Sequence, residues 1–84
     1  MRVSVISAER SVFAGEATAV VAPAYDGLVG ILPRHAPFMT LLGKGIVTIH
    51  GSEGTKRVDV SGGFLQVSSD VVRVVARSAS TTDT

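Results

Sequence analysis

The sequence contains no cysteine and no tryptophan, and only one tyrosine and three phenylalanines. Without thiols there is no disulfide framework and no thiolate-held metal, a usage that a reducing compartment permits. So few rings leave little for stacking on unpaired bases or on sugar faces. Neither sign of charge dominates: 8 Lys and Arg stand against 7 Asp and Glu, for a net +1. The basic residues are scattered, and only Lys56 and Arg57 adjoin. A nucleic-acid surface needs concentrated positive charge to displace counterions from phosphates, so nucleic-acid binding is not expected. Long apolar runs are missing as well. None approaches the ~20 residues of a membrane-spanning helix, and no charged segment followed by an apolar stretch opens the chain. The expectation is a soluble, unprocessed chain whose association with a membrane, if any, passes through a partner.

What is present is a high apolar fraction, 45% of 84 residues, in short β-branched clusters separated by turn residues. Residues 2–7 (RVSVIS) alternate, with Val3 and Val5 on one face. Residues 16–22 (EATAVVA) read as a strand that follows a turn at 13–15 and stops at Pro23, which cannot donate to a central ladder. Asp26–Gly27 is a hairpin signal between VVAPA and LVGIL. Residues 45–50 (GIVTIH) alternate with Val47 and Ile49 on one side, and the polar segment 51–55 closes a hairpin onto 56–60. Residues 61–63 make the next corner, followed by a strand at 64–67, a turn at 68–70 and a strand at 71–76. The pattern is all-β: a small flattened sandwich or barrel of about ten short strands, forming one domain over residues 1–77. Residues 78–84 (SASTTDT) hold a single apolar residue and read as a disordered tail.

The chemistry-bearing residues do not assemble into a catalytic pattern. His35, His50 and the dispersed carboxylates lack metal-ligand spacing, and no metal or cofactor is expected. Gly43–Lys44–Gly45 lacks the continuation of a phosphate loop, and no helix follows it, so the nine glycines read as turn formers. No serine stands in a nucleophile elbow. The chain is therefore expected to be non-catalytic. Attention falls instead on residues 27–45 (GLVGILPRHAPFMTLLGKG), a Gly/Pro-scaffolded loop. His35 within it reads either as a residue that bonds backbone and fixes the turn or as a partner contact. Met39 reads as a surface contact and Leu41 as core.

Several spaced motifs together resemble the N-terminal β-sandwich domain of the F-type ATP synthase epsilon subunit. They are Phe13 with Gly15, the run from Gly27 through Gly30, Ile31, Pro33, His35 and Ala36 to Pro37, and the Ser61, Gly62, Gly63, Phe64 corner. The resemblance implies a ten-stranded sandwich at the foot of the central stalk, bridging the gamma subunit and the membrane-embedded c-ring and coupling rotation to proton-driven ATP synthesis. It places the domain peripherally, at the cytoplasmic face of a bacterial membrane. It places residues 27–37 towards the c-ring loops, and with the rigid Gly/Pro scaffold around them the expected partner contacts are Asp26, Leu28, Pro33, Arg34, His35, Pro37 and Met39.

Two positions depart from the family pattern. An acidic residue is common where Leu28 stands, and Gly is common where Arg34 stands. Contact at Leu28 is then more apolar, with Asp26 as a source of charge. The family usually continues into a two-helix regulatory domain. Here seven residues follow Arg77, and they carry no amphipathic stripe. The sequence therefore reads either as a short form, the favoured reading, or as a truncated piece of a longer chain. As it stands it is expected neither to inhibit hydrolysis by insertion nor to sense ATP. The competing readings are a free-standing β-sandwich module for a small ligand or carbohydrate, which the few aromatics disfavour, and a small hydrolase.

Overall fold

Alternating apolar residues form strands here because one face of each can be covered. The computed structural model describes residues 1–52 and 54–81. The described residues form eight strands and no helix: β1 (Arg2–Ser7), β2 (Ser11–Glu16), β3 (Ala19–Ala24), β4 (Gly27–Ile31), β5 (Phe38–Leu41), β6 (Lys44–Gly51), β7 (Gly54–Ser68) and β8 (Val71–Thr81). They pair in the order β2-β1-β8-β7-β6-β3-β4, with β5 added to β7. All neighbours are antiparallel except β1 and β8, which run parallel from Arg2↔Val71 to Ser7↔Ala76.

The sheet folds on itself because β7 and β8 are long enough to serve two layers. The first half of β7 pairs β6, from Gly51↔Gly54 to Lys44↔Ser61. Its second half pairs β5, from Leu41↔Phe64 to Phe38↔Val67. Between these halves the β7–β8 ladder steps from Ser61↔Ser78 to Gly63↔Ala76, passing over Gly62 and Arg77. Gly62 and Gly63 take φ values of +71° and +109°, a region that side chains rarely enter. A Cβ on Gly63 would run into the Val75 carbonyl oxygen. The expected corner at 61–63 is thus a bend inside a continuous strand, and ten short segments become eight strands.

The two layers enclose one core. Val20, Ile49 and Val58 from one meet Val3, Leu65 and Val74 from the other, all at most 1% exposed. The domain measures 28 × 27 × 21 Å, which suits a flattened sandwich.

Four local expectations are corrected. Residues 13–15 lie within β2 and do not turn the chain. Gly15 is needed there because the Phe13 ring folds over it, 3.2 Å from where a Cβ would sit. Pro23 lies inside β3. The β3–β6 ladder has ended by then, its last pair being Val21↔Thr48, and Pro23 accepts through its carbonyl from the Gly43 N–H at 2.8 Å.

The tail expected over 78–84 is strand as far as Thr81, paired from Ser61↔Ser78 to Val58↔Thr81. Ala79 packs against the core there, so a sequence with one apolar residue is ordered by ladder bonds. Residues 82–84 lie outside the described residues. Leu41, read as core, is 62% exposed. Phe38 and Thr40 face inward on β5, leaving Met39 and Leu41 outward, and the chain delivers Leu42 to the core instead.

Candidate functional site

The loop between β4 and β5 is shaped by two turns that meet. In the first, the His35 N–H donates to the Leu32 carbonyl at 3.2 Å. Pro33 stands second in that turn, with its φ preset by the ring, and Arg34 stands third at φ +66°. Proline second and a left-handed residue third are the signature of a type II turn, whose third position ordinarily takes Gly. In the second turn Ser68↔Val71 closes the β7–β8 hairpin. Ser69 and Asp70 between them have φ of +52° and +61°, the type I′ geometry that matches strand twist. Asp tolerates this region because its short polar side chain bonds locally.

Asp70 joins the two turns. Its Oδ1 accepts the backbone N–H of Arg34 at 2.9 Å, and its carbonyl accepts the Arg2 N–H at 3.1 Å. Its Oδ2 lies 4.0 Å from the amino group of Met1. The loop, the start of β1 and the β7–β8 turn are therefore tied at one residue.

His35 stays within its own loop. Nδ1 lies 2.7 Å from the Ala36 carbonyl oxygen, and the ring meets Phe38 edge-on with centroids 5.6 Å apart. A carbonyl only accepts, so Nδ1 carries the proton, and in the neutral ring Nε2 is left as the acceptor.

Of the remaining residues singled out from the sequence, Pro33, Pro37 and Met39 lie in or beside this loop, whereas Asp26 and Leu28 lie at the other end of β4, in and beside the β3–β4 hairpin. Asp26 is exposed in the two-residue connection between Ala24 and Gly27. Leu28, opposite Pro23 on β4, is 76% exposed. Pro33, Arg34 and Pro37 are exposed, and Met39 projects from β5.

Sequence reasoning passed over Tyr25 and Leu32, exposed large apolar residues that flank the two ends of β4. The Tyr25 N–H donates to the Leu41 carbonyl at 2.9 Å, so the β3–β4 hairpin adjoins the end of β5. It also passed over an apolar row on the outer face of the β5–β7–β8–β1 layer. Leu41 pairs with Phe64, Phe64 with Val75, and Val75 with Ile6. The signal lay in the run VVRVVA, where the outward phase of an alternating strand carries Val71 and Val75 on either side of Arg73. Soluble sheets that face water on one side usually keep one phase polar.

Two other features stand apart from the loop. A cleft of about 610 Å³ opens between β2 and the β6–β7 hairpin, with Phe13 and Ile49 among its lining and none of the loop residues. Among the described residues no three His, Asp or Glu side chains gather as a metal site, and no helix is long and apolar enough to cross a membrane.

Comparison with known proteins agrees with this architecture. The chain is 51% identical over 78 residues to the ATP synthase epsilon chain of Acidithiobacillus ferridurans, covering 92% of this chain and 55% of that protein. It is 42% identical over 80 residues to the epsilon chain of Moorella thermoacetica, covering 94% and 60%. The chain thus spans little more than half the length of these relatives. A chain of the Euglena gracilis mitochondrial ATP synthase, in an OSCP/F1/c-ring assembly, superposes with a TM-score of 0.86 at 22% identity, over 94% of this chain and 51% of that one. A chain of the Tetrahymena thermophila mitochondrial ATP synthase central stalk and c-ring gives 0.80 at 11% identity, over 95% and 65%. These two likenesses concern the fold. Residues 1–82 match the model of the ATP synthase delta/epsilon chain β-sandwich domain, and the chain belongs to that family.

Proposed function

We propose that this chain is a non-catalytic central-stalk subunit of a rotary F-type ATP synthase, holding the gamma subunit to the membrane c-ring so that proton-driven rotation reaches the catalytic head. It would lie at the cytoplasmic face of a bacterial membrane, attached through the complex. Family membership supports this reading, as do relatives named as ATP synthase epsilon chains and fold neighbours drawn from central-stalk and c-ring assemblies.

The observation that carries it is the presence of two outward apolar surfaces on one small domain. The row Leu41–Phe64–Val75–Ile6 crosses a broad sheet face and suits a large partner such as gamma. The exposed Tyr25, Leu28 and Leu32 form a narrow rim along and beside the edge strand β4, which suits the short loops of a ring. In this reading Asp26, Leu28, Pro33, Arg34, His35, Pro37 and Met39 form or support the contacts. A torque-bearing link needs rigid surfaces, and both turn geometries and the Asp70 tie supply preorganisation.

The test is add-back. Membrane vesicles carrying the cognate ATP synthase are stripped of their epsilon chain, and ATP synthesis driven by a proton gradient is measured with and without this chain. Restored synthesis is the expected result. A chain that fails to rebind, or rebinds without restoring synthesis, contradicts the proposal.

A further inference from the structure

Arg34 is an anomaly. It occupies the third position of a type II turn at φ +66°, where a side chain is disfavoured and Gly fits without strain. Strain retained at an exposed position calls for a compensating interaction or a use. The compensation is visible: Asp70 Oδ1 takes the Arg34 N–H at 2.9 Å and holds the backbone in place. That bond uses only the backbone of Arg34. Its guanidinium forms no ion pair among the described residues, and the residue is exposed. Exposed Leu32 and Pro33 precede it in the same turn, and His35, fixed by Ala36 and Phe38, follows it. A single cation is thus held by a fixed backbone within an apolar rim.

We propose that Arg34 is the specificity-determining cation of the docking loop, that it recognises a carboxylate on the protein segment docked there, and that Asp70 is the residue that positions it. The inference rests on the reading that this loop docks within the ATP synthase, and it adds the chemistry of the partner. A guanidinium presents a planar fork that matches a carboxylate with two parallel hydrogen bonds, and the apolar Leu32 and Pro33 beside it limit water at that pair once a partner is docked. Phosphate on a lipid surface is the rival anion. Membrane attraction draws on clusters of about 4–8 basic residues, whereas here one cation sits among Leu32, Pro33 and His35.

The experiment measures rebinding of the full chain to the cognate ATP synthase stripped of its epsilon chain, at several salt concentrations. Arg34→Gly keeps the turn, because Gly suits the left-handed position, and deletes only the cation. It should weaken binding roughly tenfold at low salt and flatten the salt dependence. Arg34→Glu should bind more weakly still, and Arg34→Lys should recover part of the loss. Asp70→Gly keeps the type I′ turn and deletes the carboxylate. It should speed hydrogen exchange of the Arg34 amide roughly tenfold in the free chain and weaken rebinding. The double variant should bind no worse than Arg34→Gly alone, because Asp70 acts through Arg34.

Wild-type affinity and salt dependence in Arg34→Gly, while the wild-type chain rebinds normally, overturn the inference and leave the docking reading standing. Failure of the wild-type chain to rebind overturns both. Fully additive losses in the double variant overturn the positioning role of Asp70. Equal binding of the wild-type chain to protein-free vesicles of anionic phospholipid overturns the carboxylate assignment in favour of phosphate.

Discussion

The backbone N–H of Arg34 and the carboxylate of Asp70 meet at 2.9 Å across 36 residues of chain. The contact ties a type II turn, strained by its arginine, to a type I′ turn that needs a residue able to sit at φ +61°. One aspartate therefore does two things: it completes the hairpin and it holds the loop.

Substitutions at Asp70 should separate these roles. Its side chain is 47% exposed, so the hydrogen bond contributes about 0.5–1 kcal/mol, below the range for sheltered charged pairs. Asp70→Asn retains both an acceptor and tolerance of the left-handed region and should leave the melting temperature nearly unchanged. Asp70→Ala loses the acceptor and the short polar group that makes the left-handed region tolerable for Asp, where other side chains cost about 1–2 kcal/mol, so it should be the least stable of the set. Thermal unfolding followed by far-UV circular dichroism gives the ranking. An Asp70→Ala protein as stable as wild type contradicts it.

Arg34→Gly should stabilise the free domain. Relief of the left-handed strain gains about 1–2 kcal/mol, and the greater freedom of Gly in the unfolded chain takes back about 0.5–1 kcal/mol. A net gain of some 0.5–1 kcal/mol corresponds to a rise of about 2–8 °C in Tm for a domain of this size. A lower Tm would mean that the Arg34 side chain makes stabilising contacts of its own.

Gly63→Ala should be among the most damaging single substitutions. Its φ of +109° disfavours any side chain, and the added Cβ would meet the Val75 carbonyl oxygen and the Ala76 Cα, both backbone atoms of β8. Neither can swing aside, so the bend that carries β7 from one layer to the other must open. The expected cost exceeds about 4 kcal/mol, more than a thin core of this size can spare. Loss of the cooperative transition is the expected readout. A variant that melts within a few degrees of wild type would refute this account of the bend.

The apolar row on the outer sheet face should matter to assembly and little to folding. Leu41 is 62% exposed, so Leu41→Ser should change stability by no more than about 0.5 kcal/mol. Incorporation into the stripped ATP synthase should fall several-fold. Equal incorporation of Leu41→Ser and wild type would remove this face from the interface.

Much of the strand pattern was legible because each strand buries one phase of its alternation, as Val3 and Val5 or Val47 and Ile49 do. The corner at 61–63 was legible from adjacent glycines. Other features depended on distant parts of the chain. Gly15 reads as a turn residue until the Phe13 ring is found lying over it. Pro23 reads as a strand end until the loss of its β6 neighbour is known. Residues 78–81 lack apolar content, and only their register against residues 58–61 orders them. Asp70 gave no local sign of holding Arg34, because the bond joins turns that neither sequence window contains. Leu41 was misread because in LL the two residues point to opposite faces, and β5 pairing with β7 decides which one is buried.

The central claim is that two different faces of this domain touch two different subunits. Photo-crosslinking from each face tests it most directly. A photoreactive amino acid is placed at Leu28 on the narrow rim, and in a second sample at Leu41 on the broad face. Each chain is then assembled into the cognate ATP synthase, and crosslinked products are identified by mass. The account predicts attachment to a c-ring subunit from position 28 and to gamma from position 41. Crosslinks to one common subunit from both positions, or to no ATP synthase subunit from either, would contradict it.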